Sequence, residues 1–101
     1  MGREDPIDEA LGILQEECSE VIKEASKIFR SGMHYMPANS DFTNQERLHR
    51  EIADVLIIIS MCELVGAVNM ASFNMAAYIE EKKIKMKIFT SLDHDTIDRL
   101  G

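Results

Sequence analysis

Residues 45–64 read QERLHREIADVLIIISMCEL, and this stretch decides the fold. Leu48, Ile52, Val55, Ile59 and Cys62 recur at three- and four-residue steps, which is the period of an α-helix. Leu56, Ile57, Ile58 and Met61 carry the apolar character nearly all round. A helix that is apolar on every side has to be buried on every side. One chain of 101 residues with three main helices covers such a helix poorly. The pattern therefore predicts an all-α bundle of three main helices per chain, with a partner subunit covering the second helix. Within this apolar helix stands Glu51, flanked by Leu48, Val55 and Ile58, with Asp54 one turn on. A carboxylate there is costly unless it is paired or binds a metal ion. Arg47 and Arg50 are the candidate partners for the first alternative.

The preceding helix is predicted from about Ile7 to Arg30. Leu11, Leu14, Cys18, Val21, Ala25 and Ile28 form its stripe, and Pro6 suits its first turn. Residues 1–6 read as a frayed lead-in. Gly32 stands where a helix ends on a left-handed residue. Glu17 and Glu24 border the stripe, and Glu20 sits farther round. Glu17 and Glu20 share the i, i+3 spacing of Glu51 and Asp54, so each pair projects from one side of its helix. If the two helices pack antiparallel, all four carboxylates converge. Together they raise one another's pKa unless a counter-charge is present. Mg²⁺, a hard cation that takes oxygen ligands, supplies it. This points to a magnesium-dependent enzyme acting on a phosphate compound.

Between the helices, residues 33–44 (MHYMPANSDFTN) read as a loop, with Thr43 or Asn44 as the cap of the second helix. A third helix is predicted from about Met70 to Lys87, with Phe73, Ala77, Ile84 and Ile88 toward a core. Lys82, Lys83, Lys85 and Lys87 on it are either a solvated face or a clamp on phosphate oxygens. The tail from Thr90 has room for one helical turn, capped by Ser91 or Asp95. The whole reads as a single domain, 1–101, with its core at about 7–87 and a mobile or docking tail at 88–101.

The formal net charge of −7 argues against general affinity for nucleic acid or anionic membranes. The apolar run from Val55 to Val68 is too short and too interrupted by Glu63 to span a bilayer. The start, MGREDPIDEA, has no apolar signal core. Two cysteines, Cys18 and Cys62, read as buried, reduced thiols, and a cytoplasmic location is expected.

Glu16-Glu17-x-x-Glu20, a loop, Glu51-x-x-Asp54-Val55-Leu56 and a third helix with lysines together resemble the MazG-like nucleotide pyrophosphohydrolases. These belong to the all-α NTP pyrophosphatase superfamily, to which the dimeric dUTPases are related. The resemblance spans about Ile7 to Lys87. It implies hydrolysis of nucleoside triphosphates between the α and β phosphates, giving a monophosphate and pyrophosphate. Such an activity serves control or cleaning of the nucleotide pool. Carried over, Glu17, Glu20, Glu51 and Asp54 hold Mg²⁺, with Mn²⁺ as a substitute. Glu20 or Glu17 also orients the attacking water. Lys82, Lys83 and Lys85 bind substrate phosphates. Glu16 and Glu24 support the ligands from outside or are surface charge. The resemblance also implies a homodimer or homotetramer, completed as four-helix-type bundles, which agrees with the apolar second helix.

Two departures from the family pattern are visible. The span between Glu20 and Glu51 is long, so the loop at 31–44 is expected to shape a base pocket. There is no Trp, which leaves Tyr35, Phe42, Phe73 and Tyr78 as candidates to stack on a base. Two other classes compete. Glu46-x-x-His49 matches half of a ferritin-like di-iron site, but His34 and His94 lack a matching Glu. A non-enzymatic helical interaction dimer explains the apolar second helix but not an acid at Glu51.

Overall fold

The computed structural model describes residues 5–101. They form α1 (Pro6–Ser31), α2 (Asn44–Leu64), a 3₁₀ turn (Met70–Ser72), α3 (Met75–Phe89) and α4 (His94–Asp98). No strand occurs among the described residues. The all-α class follows directly. Of the lead-in expected at residues 1–6, positions 1–4 lie outside the described residues, and Asp5 and Pro6 open α1. The chain divides into two compact units, residues 1–68 and 69–101.

The first unit is an antiparallel hairpin of α1 and α2. Asp5 caps α1 by accepting from the Ile7 N–H at 2.8 Å, with Pro6 in the first turn. That turn also carries Asp8 and Glu9, favourably placed at the positive helix end. Gly32 ends the helix at φ 90°, and its N–H donates to Ile28 O. Space is open around its α-carbon, so only the backbone angle calls for glycine here. The loop then folds back on itself. Asn44, 1 % exposed, donates from Nδ2 to Lys27 O and Gly32 O, while its N–H reaches Tyr35 O. Thr43 and Glu46 close a reciprocal capping box at the start of α2.

The buried core of the hairpin is small and lies at the end away from this loop. Ala10, Ile58 and Cys62 are buried, with Ile13, Leu14, Val65, Ala67 and Val68 packed against them. Toward the middle, Cys18, Val21, Ile22, Ile52, Val55 and Leu56 line an open apolar groove of about 240 Å³. Cys18 is exposed there, contrary to the expectation that both thiols are buried, because α1 and α2 by themselves leave this groove open. Leu56, Ile57 and Leu64 of α2 are also exposed. Among the described residues, no helix is long and apolar enough to cross a membrane.

The second unit contains α3 and α4. Its first helix begins at Met75 rather than near Met70, because the Asn74 side chain accepts from Ala77 N–H and sets the cap there. Phe73 meets Tyr78 edge-on at 5.6 Å between ring centres. Ile84 and Ile88, expected to face a core, are exposed, and α3 has no buried residue. Asp93, rather than Ser91 or Asp95, caps α4. The tail is tied down within its own unit. Lys87 Nζ lies 2.6 Å from the Asp98 carboxylate, and Ile97 is buried.

Candidate metal centre

Antiparallel packing brings the two acidic pairs together. Glu17, Glu51 and Asp54 each offer a carboxylate oxygen within 4.8 Å of the others. Glu20, Glu24 and Glu51 form a second such group. Glu51 belongs to both, so five acids from two helices make one continuous cluster. The α1 members stand at i, i+3 and i+7, one side of a helix.

The electrostatics differ within the cluster. Partial burial pushes the Glu51 carboxyl above its ordinary value, and the charges of Asp54, Glu17, Glu20 and Glu24 push it further. Glu17 is raised in the same way, first by partial burial, then by the charge of Asp54 and a hydrogen bond shared with it. Glu20 and Glu16 add smaller repulsions to Glu17. Glu24 goes the other way. It is 3 % exposed, and burial alone works against its charge. Hydrogen bonds from Arg47 Nε and Lys27 Nζ, each at 3.2 Å, outweigh that and hold its pKa down.

The arginines near Glu51 therefore have other duties. Arg47 is bound to Glu24, and its Nη1 donates to Ser40 Oγ at 3.2 Å. The Arg50 guanidinium lies over the Phe42 ring, 4.6 Å from its centre. Among the described residues neither forms an ion pair with Glu51. Pairing with arginine thus does not account for this acid.

Glu24 is more central than its sequence position implied. Its place one turn after Glu20 was the available signal. The Arg47 contact, across 23 residues, had none. Glu16 is exposed and neighbours the cluster through its charge on Glu17. Lys82, Lys83 and Lys85 lie on α3, in the other unit. Lys83 is paired with Glu80 at 2.9 Å and also donates to Asp98 O at 3.3 Å. Lys82 and Lys85 are exposed. In the Glu46-x-x-His49 pair, the Glu46 carboxylate accepts from Thr43 N–H at 2.8 Å, which lowers its pKa. It is occupied as a cap, and neither acidic group includes a histidine.

The loop makes a second, basic pocket of about 240 Å³ from Lys27, Arg30, Tyr35, Asn44 and Arg47. Of the candidate stacking residues, Tyr35 lines this pocket. Phe42 lines the cleft that also contains Glu24, Arg47, Arg50 and Glu51. Phe73 and Tyr78 meet edge-on in the second unit.

The donor set suits a hard cation, since every member is a carboxylate oxygen. The upward shifts at Glu17 and Glu51 have the same physical origin, partial burial first and then the charges of the neighbouring carboxylates. No family model, curated protein or solved structure matches this chain.

Proposed function

We propose that this chain is a Mg²⁺-dependent nucleoside triphosphate pyrophosphohydrolase, acting between the α and β phosphates of a (d)NTP. One observation carries the reading: Glu17, Glu20, Glu51 and Asp54 from two helices meet, with Glu24, in groups whose oxygens lie within 4.8 Å. The resemblance of their spacing to the MazG-like pattern supplies the reaction class.

Glu17, Glu20, Glu51 and Asp54 would hold Mg²⁺, with Mn²⁺ as a substitute. When bound, the ion neutralises phosphate oxygens and holds the reacting groups in line. The chain's own residues do the rest. Glu20, with Glu17 beside it, orients the attacking water and receives its proton. The water oxygen bonds to the α-phosphorus. The bond from that phosphorus to the α,β-bridging oxygen breaks, and its electron pair leaves with pyrophosphate. Lys82, Lys83 and Lys85 are the sequence-derived candidates for phosphate contact. Pool control or removal of non-standard nucleotides, in the cytoplasm, is the corresponding role.

The same reading includes a homodimer or homotetramer. A second copy over the groove of Cys18, Val21, Ile22, Ile52, Val55 and Leu56 completes a four-helix bundle and covers α2. The purified protein with Mg²⁺ is expected to convert dNTPs to dNMP and pyrophosphate. Glu51→Gln and Asp54→Asn should abolish this with helicity unchanged by circular dichroism. Full activity in either variant rejects the site. Light scattering that finds a stable folded monomer of 11.5 kDa rejects the oligomer.

A further inference from the structure

We infer that Arg50, with Arg47 beside it, binds the pyrophosphate end of the substrate in the cleft those arginines share with Glu24, Phe42 and Glu51. This rests on the pyrophosphohydrolase reading and adds to it the group that takes the leaving phosphates. The cleft holds about 190 Å³. That is below the roughly 300–1,000 Å³ of pockets that enclose a whole drug-sized ligand, and it suits a diphosphate better than a nucleotide.

The cleft is lined by side chains of both charges, Glu24 and Glu51 with Arg47 and Arg50. Glu51 is common to both acidic groups, so a cation held by them borders this cleft. Arg50, the residue before it, lines the same cleft. The Arg50 guanidinium lies 4.6 Å from the centre of the Phe42 ring, a cation–π contact that uses none of its five N–H donors on a carboxylate. Among the described residues no carboxylate lies within ion-pair distance of Arg50. Arg47, by contrast, gives Nε to Glu24 and Nη1 to Ser40, so its contribution is mainly its charge and the Nη2 edge. A guanidinium with a free fork matches the paired oxygens of a phosphate. The chemistry places demand at the same point, because cleavage between the α and β phosphates leaves the electron pair on pyrophosphate. A fixed cation there is worth most where that charge develops.

This differs from a clamp made by Lys82, Lys83 and Lys85. Arg50 belongs to the same helix as Glu51 and Asp54, whereas those lysines belong to α3.

The test is calorimetric titration with inorganic pyrophosphate in Mg²⁺, beside steady-state kinetics on a dNTP, for wild type, Arg50→Gln and Arg50→Lys. Arg30→Gln, which loses the same charge from the neighbouring basic pocket, is the control. Pyrophosphate affinity should fall at least about 10-fold in Arg50→Gln, recover only partly in Arg50→Lys and hold in Arg30→Gln. KM for the dNTP should rise in parallel. Affinity for the dNMP product should be unchanged, which separates the leaving end from the rest of the nucleotide. Wild-type affinity in Arg50→Gln, with turnover still lost in Glu51→Gln, overturns the inference and leaves the activity standing. Arg50-dependent pyrophosphate binding without turnover of any triphosphate supports the arginine contact and overturns the activity. No pyrophosphate binding by wild type overturns the inference.

Discussion

Glu24 and Glu51 stand in one acidic group, yet the protein treats them oppositely. Glu24 is the more deeply buried, and its charge is the better supported, because Lys27 and Arg47 close on it. Glu51 is less buried and carries the less stable charge, because partial burial and then the charges of Asp54, Glu17 and Glu20 act on it with no hydrogen-bonded cation among the described residues to offset them. Depth of burial alone would order them the other way. What separates them is which neighbour has a cation to give. The lower part of the hairpin, toward the loop, is an internally balanced ion-pair network. The part above it is an acidic cluster in which Glu17 and Glu51 have raised pKa values.

The largest expected effect tests the unbalanced part. Glu51→Gln should reduce Mg²⁺-dependent pyrophosphate release by at least about 100-fold, the scale on which changes around a metal site act. An effect of less than twofold would mean that the cluster is not a working centre. The balanced part is probed next by Arg47→Ala, which leaves Glu24 buried with Lys27 as its remaining partner. Removing one member of a buried pair costs about 3–5 kcal/mol. Arg47 is a third exposed and Lys27 remains, so a loss of about 2 kcal/mol is expected in urea unfolding. No loss would show that Glu24 does not need the arginine.

The third test separates the two parts by pH. Glu17 and Glu51 have raised folded-state pKa values, so the folded protein binds more protons than the unfolded chain above about pH 4.5. Their contribution to stability is full below that value and is lost as pH rises through the folded values. Glu24, with its lowered pKa, contributes above about pH 4.5 and loses that contribution as pH falls. With EDTA present, Glu51→Gln should therefore gain Tm over wild type at pH 7 and lose that advantage at pH 4. Saturating Mg²⁺ should raise the wild-type Tm at pH 7 by several degrees and leave the variant's nearly unmoved. A ligand at 100 times its Kd contributes about 2.7 kcal/mol. A Tm gap between the two proteins that does not vary with pH would contradict the electrostatic account.

The smallest effect concerns Glu20, the member with an exposed partner. Lys23 lies 3.6 Å away, and both side chains are well exposed. Lys23→Gln should change stability by less than about 0.5 kcal/mol, because water screens such pairs. A larger loss would blur the distinction between buried and exposed compensation.

Several elements are legible in the sequence. The apolar period of α1 and α2, Pro6, Gly32 and the Thr43 cap are local features, and local features are encoded in adjacent residues. The i, i+3 acids follow from helical spacing in the same way. Periodicity alone starts α3 about a turn too early, because Asn74 competes as a cap where the apolar period continues. Spacing turns Ile84 and Ile88 inward, yet both are exposed, because spacing cannot say whether a partner layer exists. The same holds for Cys18, whose place in an apolar stripe does not bury it.

By itself, the chain determined that it is helical, that α2 is apolar beyond what one face needs, and that acids lie one turn apart on two helices. Each of these depends on neighbours within a few residues. Only the tertiary structure decided which acid receives a counter-charge. Arg47 lies four residues before Glu51 in sequence, a distance that suits a helical ion pair, yet it crosses to Glu24 on the other helix. That choice depends on how the two helices are paired, because electrostatic energy depends on separation in space rather than along the chain.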